Sequence, residues 1–248
     1  MEKKITTERN STESSTGKKV NENRKPLSFF EKIIFILLLV AIAYAVYVFF
    51  TDSSYFDYLV EEDGFYENLT SIFLFLTSFI LLIKFFRYQK YYMLPWKISI
   101  FLMMAAFFFG GGEEISWGQR IFQIQSSEFF KINNSQQETN LHNLVIGRVK
   151  LNKLVFSNML SIGFGIYFLI LPILWYKVPK IKKLIDRLGI SIARPIHILI
   201  FAIATAVILI LVNHSRKWEI WEFAFALTMF LIVCNPLNRK EIFCKENH

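Results

Sequence analysis

The sequence predicts an all-α fold: a polytopic membrane helix bundle of six transmembrane helices, with the N- and C-termini both in the cytoplasm. Three observations lead there. The chain is 54% hydrophobic, with 6 Pro, 10 Gly and a mean hydropathy of +0.38, which is too apolar for a soluble domain of 248 residues. Six stretches each supply the roughly 20 mostly apolar residues needed to cross about 30 Å of hydrocarbon. Lys and Arg gather in alternate connections, which orients the molecule.

Taken in order, residues 1–28 are polar and mixed in charge, without apolar periodicity, and read as a disordered cytoplasmic arm. The first span, Ile33–Phe50, is too long for a signal-peptide core and is not followed by a small-residue cleavage site, so it is expected to be retained. The others are Glu67–Phe86, Trp96–Ile115, Leu154–Tyr176, Pro195–His214 and Trp218–Leu237. The third and sixth qualify only if glutamates are admitted at their outer ends. With no internal repeat and no Gly/Ser-rich linker, residues 29–238 read as one domain, followed by a cytoplasmic tail, 239–248. The loop Gly118–Lys153 is long for such a bundle and is expected to be a lid or a partner surface, with Ile121, Phe122 and Ile124 near the interface.

Orientation follows from the charges. The arm and the start of the first span hold eight bases, from Lys3 to Lys32. The next loop, Thr51 to Asn68, has no base and carries Asp52, Asp57, Glu61, Glu62, Asp63 and Glu67, which places it outside. Lys84, Arg87, Lys90 and Lys97 mark the second connection as internal. Lys177, Lys180, Lys182, Lys183, Arg187 and Arg194, against Asp186 alone, do the same for the fourth. The net charge of +8 is thus spread over several short segments rather than one face, so nucleic acid is not an expected partner; the lipid bilayer is. Cys234 and Cys244 fall on the cytoplasmic side, where a disulfide is not expected. No GxSxG, HExxH, CxxC, Walker A or dinucleotide motif is present.

Helix rise then sets the depth of the acids. Counting from Trp96, Glu113 and Glu114 lie about 25 Å along the third span, at or just beneath the outer interface. Glu222 is one turn past Trp218, and Glu219 shares much of its face. Glu67 begins the second span, and His214 ends the fifth. Charges at membrane depth are costly unless paired, metal-bound or wetted, which makes these residues functional candidates; acids at helix ends can also simply complement the dipole. The segment GGGEEISWGQR, Gly110–Arg120, stands out: its glycines permit close backbone approach or a helix break, two acids follow, and Arg120 offers a guanidinium. ETNLHN, Glu138–Asn143, puts Glu138 and His142 on one face if that stretch is helical. His197 lies at the other end of its span and reads as a packing residue.

EDGFYENLT, GGEEISWGQR and ETNLHN together resemble a bacterial multi-pass membrane family with the pattern EDGxxExxT, GEEISWGQR and ExNLHN; the likeness covers about the central third of the chain. It singles out Glu62, Asp63, Glu67, Glu113, Glu114, Trp117, Gln119, Arg120, Glu138 and His142, and implies a cell-membrane location, but carries no activity. Glu67-Asn68 followed by Thr70-Ser71 is also similar to the alkaline ceramidase and progestin-receptor-like membrane hydrolases. The Ser-x3-His and His-x3-His elements of that superfamily are missing, and only His214, Trp218 and Glu222 occupy a comparable late position.

The leading expectation is therefore a divalent-metal site, for zinc or a similar ion, at the extracytoplasmic interface, with Glu67, Glu113, Glu114, His142, His214 and Glu222 as ligands. Glu113, Glu114 and Arg120 would carry the chemistry, hydrolysis or transfer on a lipid or lipid-linked substrate. Two alternatives stand beside it: an ion- or proton-coupled transporter or channel, and a non-catalytic subunit that binds a partner protein through the outer loop.

Overall fold

Ser28 and Glu31 open the first helix of the computed structural model as a reciprocal cap. The Ser28 amide donates to Glu31 Oε2 at 2.8 Å, and the Glu31 amide to Ser28 Oγ at 3.2 Å. The structure describes residues 27–141, 143–146, 149–150 and 160–245. Most of the expected arm, the expected start of the fourth span (154–159) and His142 lie outside the described residues. By internal contacts the chain divides into residues 1–37 and 38–248. The cap and the first turns of α1 (Phe29–Thr51) belong to the first unit. Apart from the length and burial of α1 itself, everything below concerns the second.

The described residues are helical apart from turns and a two-residue antiparallel pair, β1 (Val145–Ile146) with β2 (Val149–Lys150). After α1 come α2 (Ser53–Val60), α3 (Phe65–Tyr88), α4 (Leu94–Glu114), α5 (Glu128–Asn133), α6 (Leu160–Gly165) and α7 (Leu171–Lys177). Next are α8 (Pro179–Leu188), α9 (Pro195–Leu211), α10 (Lys217–Cys234) and α11 (Arg239–Ile242). A π-turn, Ile166–Ile170, joins α6 to α7. Prolines stand in the first turn of α4, α8 and α9, where their missing N–H leaves no helical bond unmade.

Among the described residues three stretches are long and apolar enough to cross a membrane: Phe29–Thr51, Ser53–Tyr91 and Leu94–Glu114. A fourth arises if Ile162–Lys177 and Pro179–Leu188, bent by 118° at Val178, are taken as one. Between 17% and 33% of the residues in the apolar windows of those three stretches are buried, so most of their side chains face outward, as lipid-facing surfaces do. Three helices appear within expected loops, the short α5 in the loop Gly118–Lys153 being one. The acidic first loop contains α2, capped by Asp52, which accepts the Tyr55 amide at 3.0 Å. The basic fourth connection contains α8, whose apolar and basic residues fall on opposite faces.

The core forms around α10, which is buried on all sides from Phe223 to Val233 and packs on α3 and α9. α3 turns Tyr66, Thr70, Ser71, Leu74, Thr77, Ser78 and Leu81 inward at helical spacing, and its small residues bring α4 close. Ser71 Oγ donates to the Gly111 carbonyl at 2.8 Å, and Ser78 Oγ to Met104 at 2.9 Å. In α1, Leu38, Ile42, Ala45 and Val48 are buried while Leu39, Val40, Tyr44 and Tyr47 are exposed. Tyr66 Oη reaches the Ala41 carbonyl at 2.7 Å.

The end of the bundle holding the α4 N-terminus is locked by side chains on backbone. Trp96 stacks on Tyr92 at 4.8 Å and donates to the Ile242 carbonyl at 3.1 Å. Lys84 donates to the Val233 carbonyl at the C-terminus of α10, where a cation complements the dipole. Asn238, fully buried, accepts the Ile192 amide at 3.0 Å and donates to Asp186 at 2.8 Å and to the Ile190 carbonyl at 3.0 Å. Gly189 ends α8 with φ 71°, and a Cβ there would stand 2.6 Å from the Trp96 ring.

Candidate functional site

The site forms where α4 ends. The helix runs unbroken through Gly110–Gly112, so these glycines serve close approach rather than a break. A Cβ on Gly111 would lie 3.1 Å from the Phe75 ring, and one on Gly112 only 2.8 Å from the Trp117 indole. The break follows Glu114: Ser116, Trp117 and Gly118 all have positive φ, at 46°, 55° and 71°. Three left-handed residues in succession fold Trp117 back over Gly112. There its indole N–H donates to Glu113 Oε1 at 2.8 Å, and Glu113 Oε2 accepts the Leu141 amide at 2.5 Å.

The long loop is knitted by the motif side chains. Arg120 bridges Asp63, before α3, and Glu138. The other oxygen of Glu138 accepts from Ser116 Oγ at 2.5 Å, and Asn140 Nδ2 donates to Ser116 at 2.8 Å. Gln119 holds the Thr139 amide at 2.7 Å and Ser126 Oγ at 2.7 Å. Asn134 donates to both oxygens of Asn140 and accepts the amides of Gln136 and Glu138. These bonds hold Glu138–Leu141 out of a helix; His142, the other half of the expected i,i+4 pair, lies outside the described residues.

Beneath this loop lies a set of acids. Glu114, Glu67, Glu219 and Glu222, contributed by α4, α3 and α10, are half-buried and within electrostatic reach of one another. Glu67 also accepts the Asp63 amide. Among the described residues, Glu114, Glu219 and Glu222 have no hydrogen-bond donor or ion-pair partner; the countercharge near Glu67 and Glu219 is Arg216, and Glu62 has both Arg216 and Arg120. Such a group is stable only if it shares protons or takes up a cation. Among the described residues no group of three or more His, Cys, Asp or Glu side chains is arranged to hold a metal ion.

The expected site therefore divides. Glu67, Glu114 and Glu222 come together. Glu113, one residue from Glu114 and about 100° around the helix, faces the loop instead. His214 pairs with Asp57 at 3.0 Å and rests edge-on against Phe56. Arg120 is engaged by Asp63 and Glu138 rather than by Glu113 or Glu114. His197 is fully buried, in keeping with a packing role. Arg216 and Glu219 are the additions; Glu219 precedes Glu222 by three residues on one helix, and Arg216, six before Glu222, caps that helix. Comparison with known protein families, curated proteins and solved structures finds no match for the chain.

Proposed function

We propose that the chain is a six-span, N-in/C-in protein of the cell membrane whose Glu67, Glu114, Glu219 and Glu222 take up a divalent cation at the extracytoplasmic interface. Its proposed activity is metal-dependent hydrolysis or group transfer on a lipid or lipid-linked substrate. The observation that carries this is the group of half-buried carboxylates from three helices, with Arg216 as the nearby countercharge. Binding would draw Glu114 and Glu222 onto one ion. Lipid access is supported by the exposure of Ile121, Phe122 and Ile124, on the same loop as Glu138, which lies within electrostatic reach of Glu67.

Transport is the weaker reading. The hydroxyls available to line a route away from the cluster, Thr70, Ser71, Thr77, Ser78 and Thr228, all donate to backbone carbonyls. Leu74, Leu81, Leu227 and Leu231 are buried among them. Metal analysis of detergent-purified protein tests the proposal. The wild type is expected to retain a divalent ion, and Glu114→Gln or Glu222→Gln to lose it. Metal-free wild type that gains none on titration would overturn it.

A further inference from the structure

At the opposite end of α4, about 30 Å from Glu114 by helix rise, a cavity of about 610 Å³ opens between the 89–93 turn and α8. Its walls are of two kinds. Tyr91, Tyr92, Met93 and Pro179 form an apolar side, while Lys183 and Arg187 stand on the other. The acids nearby are already engaged. Asp186 accepts from the Trp175 indole at 2.9 Å and from Asn238, and Glu241 pairs with Lys182 at 3.6 Å. Lys182 also lies 4.4 Å from the Trp175 ring centre. Among the described residues Lys183 and Arg187, both exposed, have no carboxylate partner.

We infer that this cavity binds an anionic phospholipid, with the headgroup phosphate on Lys183 and Arg187 and acyl methylenes along Tyr91 and Met93. Two further features fit that occupant. α8 is amphipathic and basic, and its axis departs by 118° from the apolar helix before it, so it lies along a membrane surface rather than through it. Basic pockets beside transmembrane helices on the cytoplasmic side recognise anionic headgroups, and the positive-inside charge pattern places this end there. A free anion would have no use for the apolar wall, and a zwitterionic lipid, whose phosphate is offset by its own ammonium, would leave the bases less well matched. The inference needs the membrane orientation but not the acidic cluster, so the two can fail separately.

The test uses full-length protein in mild detergent and fluorescently labelled phosphatidylglycerol. Binding at least tenfold tighter than that of labelled phosphatidylcholine is expected. Lys183→Gln with Arg187→Gln should weaken phosphatidylglycerol binding by about 25-fold, taking about fivefold for each base, while leaving thermal stability unchanged. Met93→Trp, a substitution at an exposed position that fills the apolar side, should weaken both lipids. Equal affinity for the two lipids, an unchanged double variant, or competition by millimolar inorganic phosphate as effective as that by unlabelled lipid would each overturn the inference.

Discussion

Glu113 accepts the backbone amide of Leu141 at 2.5 Å, joining the end of α4 to a residue 28 positions further along the chain. Its other oxygen holds the Trp117 indole, so one carboxylate fixes both the turn that leaves the helix and the far side of the loop. Each charged hydrogen bond of this kind contributes about 1.5–3 kcal/mol. Glu113→Ala is expected to destabilise the protein by about 3 kcal/mol and to open 119–141 to protease. Glu113→Gln, which keeps one acceptor, should cost about half as much. Thermal unfolding in detergent and limited proteolysis read the two effects.

Gly112→Ala tests the turn from the other side. A Cβ at 2.8 Å from the indole must push Trp117 off the helix and weaken its bond to Glu113. A loss of about 1–3 kcal/mol is expected, as for other overpacked sites. Gly110→Ala is the control, since its nearest neighbour, Leu74 Cδ1, lies at an ordinary 3.5 Å.

Asn238 joins α8, the Ile190–Ile192 segment and the turn after α10 through three hydrogen bonds. Replacing it with Ala leaves a buried amide and a buried carbonyl without these bonds. Asn238→Ala should lower stability by about 2–4 kcal/mol in thermal unfolding. Lys180→Gln, on the exposed side of α8, should leave it unchanged.

Orientation is tested by labelling. In a Cys234→Ser, Cys244→Ser background, a cysteine at the exposed Ser127 should react with an impermeant maleimide in intact cells, and one at the exposed Lys180 only after lysis. The reverse pattern would invert the topology.

The long apolar runs made α1, α3 and α4 legible in the sequence, because length and hydropathy are properties of the chain alone. α2 was hidden, since its acids read as loop, and α8 was hidden by the same bases that set the orientation. Helix rise placed Glu114, Glu67 and Glu222 at one depth, and in the structure they lie within electrostatic reach of one another. It did not separate Glu113 from Glu114. That requires the rotation of α4 about its axis, which packing of Gly111 on Phe75 and Ser71 decides. Nor did the sequence show that Arg120 would be taken by Asp63 and Glu138, an ion-pair triad that depends on how a 28-residue loop returns to α4.

The central claim is that Glu114 stands among acids gathered for a cation, and it predicts opposite responses with and without metal. In chelator, Glu114→Gln should melt higher than wild type, because wild type must there either bind a proton or hold a charge among like charges, and the amide needs neither; a gain of about 1 kcal/mol corresponds to about 3 °C. On adding a divalent cation at about a hundred times its Kd, wild type should gain about 2.7 kcal/mol, and the variant little. A thermal-unfolding titration of the two proteins decides it. Wild type insensitive to every divalent cation, together with a variant no more stable in chelator, would contradict the account.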